Sequence, residues 1–356
     1  MTVCDVAIVG GGPAASAAAL TLARAGLRAV ILERGEDRGD KPGESIAPGA
    51  RPLLEQLGVW DDLAADGHLP CHGNRSSWGS ERIDEMPFLF SPYGKGWHLD
   101  RRRFEQLLVR RAVEAGAERK THARVVDVSR NGDVPPGGNN AVWRLRCANG
   151  ETIEAPFVID ATGRASWFAH RAGAQRIVDD VLIAVVAFLE TDGAPDRDSW
   201  TLVEAVEQGW WYSAVLPDGR LAVMFITDPA VVAPREAAAM PFATAPHTRA
   251  RIETYAYAVT APPQLVHAGS SRLNRAMGEG WCAAGDAAMA LDPLSSHGIT
   301  SALATGVEAA QAVVSGSFER YETVVDTMWR AYAAMRRNIY ASERRWASSP
   351  FWTRRI

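Results

Sequence analysis

The chain has 356 residues, 47% of them apolar and 22% charged, with a formal net charge of -4. This is the balance of a globular enzyme with a large core, long enough for two joined domains, and it gives no basic surface for a nucleic acid. The longest apolar run, Val181 to Leu189, is far too short to cross a membrane. Cys4, Cys71, Cys147 and Cys282 lie far apart with no C-x-x-C pair, so neither a metal site nor a disulfide framework is expected. Dispersed thiols suit a reducing cytoplasm, and the first residues lead straight into a strand with no room for a signal peptide.

Val6 to Val9 is a β-branched apolar run that reads as a buried parallel strand. Gly10, Gly12 and Ala15 then fill the G-x-G-x-x-G/A positions of a dinucleotide fingerprint, with Pro13 and Ala14 in the same turn. The first position permits the tight turn, the second lets a backbone approach a pyrophosphate, and the third keeps helix and strand close. Ala14 to Ala25 reads as a helix closed by Gly26, whose N-terminus would receive the diphosphate. Ala29 to Leu32 is the next strand and delivers Glu33, 23 residues after Gly10 and near the expected ~20. Its carboxylate can accept both ribose hydroxyls, which disfavours NADP and leaves NAD and FAD open.

Gly35 to Lys41 is a polar loop, and Pro52 to Leu57 a short helix. Residues 68 to 92 mix strand and loop signals. Arg101 to Ala115 reads as an amphipathic helix with Phe104, Leu107, Leu108 and Val113 on one side. Arg124 to Ser129, Val142 to Cys147 and Glu151 to Ala155 form a β-meander, with Asn131 to Asn140 as a hairpin loop. Phe157 to Ile159 is a buried strand. Strands over Val181–Thr191, Thr201–Val206, Trp210–Leu216 and Arg220–Thr227 have sandwich-like spacing. A helix over Arg249–Ala258 and strands over Gln264–Ala268 and Trp281–Ala284 follow. Two helices end the chain, Ile299–Val314 and Phe318 to about Trp346.

Three segments turn the dinucleotide reading toward a flavin. In WCAAGDAAMALDPLSSHGITS, Gly285 and Asp286 end a strand, where the carboxylate can bind a ribityl hydroxyl. Pro293 and Gly298 shape the loop that follows, and N–H groups around Ser296 to Ile299 can hold an oxyanion or an electron-rich flavin edge. In IDATG, an acidic strand end and Gly163 offer phosphate-side contacts. In DRRRFEQLL, Arg101 opens a helix within reach of a diphosphate or ribityl chain.

With these motifs the chain resembles the FAD-dependent monooxygenase superfamily of the p-hydroxybenzoate hydroxylase type, in its tryptophan-halogenase-like branch. Gly285, Asp286, Pro293 and Gly298 match that family's G-D motif, and Gly43, Glu44 and Ser45 its flavin-contacting G-E-S. GESIAPGARPLLEQLG, SPYGKGWHLDRRRFEQLL and SERRWASSPFWTRR look most like flavoproteins that mature the cysteine tryptophylquinone of lysine and glycine oxidases. The resemblance implies an α/β fold: a Rossmann-type FAD domain (1–60, 96–175, 266–316), an inserted antiparallel substrate domain (61–95, 176–265) and a C-terminal helical segment (317–356). It further implies flavin contacts from Arg34, Val126 and Ile299, a role for His297 beside the flavin ring, and a substrate pocket lined by Trp97, His98, Trp210, Trp211 and Tyr212. A turn-shaping loop histidine and ordinary core aromatics are the alternative readings of these last residues.

The implied activity is hydroxylation of an electron-rich aromatic ring through a flavin C4a-hydroperoxide. The substrate would be a tryptophan of a peptide or protein precursor, or a small aromatic. NAD(P)H or a partner reductase would supply electrons. Two departures separate the chain from the halogenases. Their relay lysine is missing: Lys41, Lys95 and Lys120 are the only lysines, and HGNRSSWG offers Asn74 and Arg75 instead. Their W-x-W-x-I-P is also altered, with Tyr212 and Ala214 at the tryptophan positions. A halogenase, an O2-independent reductase of the geranylgeranyl-reductase kind and a non-catalytic maturation partner remain the alternatives. Arginines interleaved with Trp346, Phe351 and Trp352 suggest a polypeptide-facing tail, against packing on its own domain.

Overall fold

The computed structural model describes residues 1–35, 40–131 and 141–356. Of the hairpin loop expected at Asn131–Asn140 all but Asn131, which ends the strand Val125–Asn131, lies outside the described residues, as does most of the Gly35–Lys41 loop. A six-stranded sheet runs in the order Met277–Gly278, Trp281–Ala283, Phe157–Asp160, Val6–Val9, Ala29–Leu32, Glu118–Lys120. Every neighbouring pair is parallel except the first. All residues of Val6–Val9 and Ala29–Leu32 are buried, because the helix Pro13–Arg24 and the antiparallel strands Val142–Cys147 and Thr152–Ala155 pack against the sheet, so the sequence shows continuous apolar runs rather than alternation.

The helix Pro13–Arg24 turns an almost unbroken alanine face inward and packs on Gly298–Ser315. At the crossing a Cβ on Gly306 would lie 2.3 Å from the Ala14 carbonyl oxygen, so only glycine permits this approach. Asp100 caps Arg101–Glu114 by accepting from the Arg103 N–H at 3.0 Å. Phe104, Leu107, Leu108 and Ala112 face the core, whereas Val113, expected on that face, is 45% exposed. It stands one position past the helical repeat.

The second layer is an eight-stranded sheet. Its path is Ala258–Val259, Ile183–Glu190, Leu221–Thr227, Gly209–Val215, Trp200–Val206, Gly73–Ser77, Asp84–Pro87, and Gln264–His267 also pairs with Ile183–Glu190. Both faces are covered. One meets a core containing Trp211, Phe225 and Tyr257, the other a core containing Trp210, Tyr340, Phe351 and Trp352. A three-stranded sheet of Ser45–Ile46, Gly96–His98 and Leu69–Cys71 bridges the layers.

The helix Phe318–Ser342 lies along this assembly, and Pro350–Thr353 closes it. The tail expected to face a polypeptide is instead packed on its own chain. Phe351 and Trp352 are fully buried, and Trp352 Nε1 donates to the Val206 carbonyl at 3.0 Å. The Arg355 guanidinium is sealed between Asp180 (3.0 Å) and Asp228 (3.2 Å). No described helix is long and apolar enough to cross a membrane.

Candidate functional site

Where Val6–Val9, Phe157–Asp160 and Trp281–Ala283 end, the chain opens a cavity of about 660 Å³ between the two sheets. The carboxyl ends of parallel strands are where such folds bind ligands. One wall comes from the three strand-end turns: Gly12, Pro13 and Ala14; Ala161, Gly163 and Arg164; Gly285 and Asp286. Pro293, Ser296, Gly298 and Ile299 continue it. The facing wall is Ala184, Tyr212, Met224, Leu265, Val266 and His267, and Gly43, Ser45 and Arg101 close one side.

Two long helices begin at this cavity, at Gly12 and at His297, and neither has a side-chain cap. Their first N–H groups are therefore free for an anion. Gly10 and Gly12 play different parts. A Cβ on Gly10, at φ +116°, would lie 2.2 Å from the Ala161 carbonyl oxygen, so this glycine holds the turn. A Cβ on Gly12 would meet nothing within 4 Å and would project into open space. An uncapped helix start, an open glycine and a lining carboxylate fit an FAD diphosphate and ribityl chain.

Arginines buttress these turns. Arg101 donates to the carbonyls of Pro42 (2.6 Å) and Gly43 (2.9 Å) and pairs with Glu105, fixing the G-E-S loop. Arg164 donates to the Leu291 carbonyl at 2.9 Å and approaches Asp286 at 3.5 Å. Arg176 binds the Asp286 carbonyl from behind at 3.0 Å. Arg164 and Arg176 were not singled out from the sequence. Arg164 directly follows the IDATG turn and could have been found there; Arg176 and the exposed wall residue His267 carry no sequence signal. Asp160, expected on the phosphate side, is spent internally, accepting from Thr162 N–H (2.9 Å) and Ala169 N–H (2.8 Å).

The remaining expected positions divide. Ala15 is buried in the helix crossing, as a small third position requires. Glu33 sits beside Gly11 with Oε2 held by Arg119 at 2.6 Å, and Arg34 is exposed beyond it. Ala123 N–H donates to the Glu33 carbonyl at 2.8 Å, which runs the segment toward Val126 alongside this strand end. Val126 itself stands at a register break in Val125–Asn131 and does not line the cavity. His297 is exposed at the rim with Nδ1 against the Ser295 carbonyl, while its neighbours Ser296 and Gly298 line the wall.

Of the five expected substrate residues only Tyr212 lines the cavity. Trp210 and Trp211 point to opposite faces of a strand whose two faces are both covered, so each is core. Trp210 Nε1 donates to the Tyr340 hydroxyl at 3.0 Å, and Trp211 stacks on Phe225 at 4.7 Å. Trp97 packs edge-on against Trp60 beneath the bridging sheet. His98 is fully buried, with Nε2 2.9 Å from the Thr201 hydroxyl. Burial, with the charge of Arg251 adding, lowers its pKa to about 4 and keeps the ring neutral.

Glu44, expected to touch the flavin, lies behind the wall. Its carboxyl is 1% exposed and neither oxygen has a made hydrogen bond, so burial raises its pKa. The lysine question is settled by position. Lys41 pairs with Glu105, Lys95 lies over the Trp97 ring at 4.4 Å, and Lys120 pairs with Glu118 at 3.1 Å. None of the three lines the cavity. Asn74 and Arg75 are also remote, on the strand Gly73–Ser77, with Arg75 held by Glu85 (2.8 Å) and Asp198 (2.7 Å). Among the described residues no group of three or more His, Cys, Asp or Glu could hold a metal ion.

A parallel sheet that opens its strand ends onto two uncapped helix starts, facing an antiparallel sheet across a deep cavity, defines a flavin-dependent oxidoreductase. Residues 3–315 match the FAD binding domain family, and the chain belongs to it. LodB of Marinomonas mediterranea, described as a putative FAD-dependent oxidoreductase, is 27% identical over 366 residues, covering 99% of this chain and 96% of that protein. The structure of the myxobacterial chondrochloren halogenase CndH superposes with a TM-score of 0.83 at 23% identity, over 100% of this chain and 86% of the other. The peptidyl tryptophan dihydroxylase QhpG, essential for tryptophylquinone cofactor biogenesis, superposes with a TM-score of 0.76 at 23% identity, over 99% of this chain and 78% of the other. The chain is an FAD-dependent oxidoreductase.

Proposed function

We propose that this flavoenzyme is a monooxygenase that hydroxylates an electron-rich aromatic ring, a tryptophan of a peptide or protein precursor or a small aromatic. The carrying observation is the cavity wall opposite the cofactor turns. Apart from Tyr212 and the exposed His267 it is apolar, built from Ala184, Met224, Leu265 and Val266, and no lysine reaches it. A halogenating relay needs an amine that can be deprotonated and carry the halogen to a distant ring; arginine cannot replace it. Hydroxylation needs only a dry pocket in which the ring meets the flavin. Strand Gln264–His267 leaves Leu265 half exposed at the rim, which favours access by a peptide.

In this reading Gly12, Pro13 and the helix start at Ala14 take the diphosphate, Asp286 the ribityl chain, and the N–H groups of Ser296 to Ile299 the pyrimidine edge. Bound FAD would supply the redox and oxygen chemistry. NAD(P)H or a partner reductase would supply electrons. Segments 1–60, 96–175 and 266–316 carry the cofactor, 61–95 and 176–265 present the substrate, and 317–356 clamps the two. The test is turnover with reduced FAD, O2 and excess bromide on tryptophan-containing peptides and phenols. A mass gain of one oxygen is expected. A brominated product overturns the reading, and turnover without O2 moves the protein to the reductases.

A further inference from the structure

Glu44 is a titratable group that neither FAD binding nor substrate contact uses. It lies between the main cavity, lined by its neighbours Gly43 and Ser45, and a second cleft of about 330 Å³ that it helps to line. Tyr212 stands over it from the large sheet. The Tyr212 hydroxyl is 2.6 Å from the Ser45 hydroxyl, and both side chains belong to residues that line the main cavity. Of all side-chain groups Tyr212 acts most on the Glu44 carboxyl, and it favours the charged form. Ser45 has one further neighbour, the Thr201 hydroxyl at 3.4 Å, which leads to the neutral, buried His98 and to the buried Cys71 thiol at 3.7 Å. The other charge acting on Glu44 is Arg101, at the start of the helix Arg101–Glu114. The second cleft brings Asp40, Lys41, Asp100, Arg102, Asp218 and Arg220 to its outer side.

We propose that Glu44 is the proton store of a relay that runs through Tyr212 to Ser45 at the cavity wall and is refilled from the second cleft. The inference rests on the oxygenation reading, in which an oxyanion formed in the cavity must be protonated without admitting bulk water. Each transfer breaks one O–H bond and forms another. The Glu44 carboxylic acid gives its proton to Tyr212 Oη, Tyr212 gives its own to Ser45 Oγ, and Ser45 gives its own to the oxyanion. Glu44 is left as a carboxylate, which takes a proton from water in the cleft. The net change is one proton moved from solvent to the oxyanion. Burial outweighs the opposing pulls of Tyr212 and Arg101 and favours the protonated, donating form of Glu44. Glu44 acts through Tyr212 and Ser45 and is a positioning residue.

The test compares wild type, Glu44→Gln and Tyr212→Phe as FAD-loaded proteins with equal flavin content. Infrared spectroscopy at neutral pH reads the C=O stretch of a protonated carboxyl directly. Wild type and Tyr212→Phe should share a component that Glu44→Gln removes, apart from any signal of the other buried carboxyls Asp160, Asp286 and Asp292, whose pKa values burial also raises. In turnover both variants should lose roughly 10²-fold in kcat, the low end of what positioned proton transfer contributes, with KM within about twofold. The pH profile of wild type should fall where Glu44 ionises, and that limb should be absent from Glu44→Gln. A carboxyl spectrum identical in wild type and Glu44→Gln, or a kcat unchanged in either variant, overturns the relay. If wild type oxygenates no aromatic substrate, the proposed function falls by itself. The infrared comparison then still decides whether Glu44 is a buried protonated donor, and a band missing from wild type overturns the relay on its own.

Discussion

Replacing Gly12 with valine separates cofactor binding from folding. The residue sits at a helix N-cap with φ -82° and ψ -173°, extended backbone that a β-branched residue adopts without strain. A Cβ there touches nothing within 4 Å, so the variant creates no clash in the protein. Losing glycine from the N-cap costs about 1 kcal/mol, and the reduced freedom of the unfolded chain returns about 0.4–1 kcal/mol. Gly12→Val should therefore fold with a stability within about 1 kcal/mol of wild type. The same space is where the diphosphate would lie, so binding should be lost. Wild type at 100 times the FAD dissociation constant should gain about 2.7 kcal/mol, seen as a rise of a few degrees in Tm. Gly12→Val should show no rise and purify colourless. Gly10→Val is the contrasting control, since its Cβ would strike the Ala161 carbonyl at 2.2 Å and prevent folding altogether. Wild-type FAD affinity in Gly12→Val would refute this placement of the diphosphate, and failure to fold would refute the openness of that position.

Other outcomes follow from the buried charges and the tail. His98 holds a folded pKa of about 4 against 6.5 for a free ring, so between these values the unfolded chain carries the extra proton. Stability should fall as pH drops through that window, by roughly 3 kcal/mol, and His98→Gln should remove that share in urea melts across the range. Glu44 has the opposite sign: its folded pKa is raised, so it costs stability as pH climbs above the ordinary carboxylate range, and Glu44→Gln should flatten that loss. Arg355→Ala leaves Asp180 and Asp228 short of a sealed partner and should cost about 3–5 kcal/mol in denaturant titration, with a larger loss at low salt than for Arg354→Ala at the exposed neighbour. Removing residues 346–356 deletes Phe351 and Trp352, worth about 3–5 kcal/mol each, and should yield insoluble chain rather than a folded protein that only fails to bind substrate.

The cofactor side of the fold was readable because its rules are local. Strand, glycine turn, helix and acid follow one another within the first 33 residues, and the G-D turn repeats that logic at Gly285. Five strands of the large sheet were also legible, within a residue or two, whereas Gly73–Ser77 and Asp84–Pro87 lay in a segment of mixed signals and Ala258–Val259 begins at the last residue of an expected helix. The substrate side was not, because it depends on which face of a strand is covered. Trp210 and Trp211 look like pocket residues until the C-terminal helices are seen to seal the second face of their sheet. Those helices come more than 100 residues later, and nothing in the local sequence announces the contact. For the same reason Tyr340, which donates to Asp292 at 2.7 Å and so anchors the loop before Gly298, could not be placed beforehand. Val113 failed on simple geometry, and His98 because burial, not motif, decides its state.

The wall of the main cavity is contributed by segments that begin at Gly12 and end at Ala302. During synthesis the N-terminal fingerprint emerges early, yet it faces nothing until the last parallel strand and the helix from Gly298 have left the ribosome and docked on it. A flavin therefore has no complete place to bind on a partial chain. Yellow colour in a preparation of this protein is a report that nearly the whole polypeptide has been made and assembled, and flavin content can serve as a direct assay of folding in any variant whose cavity turns are intact.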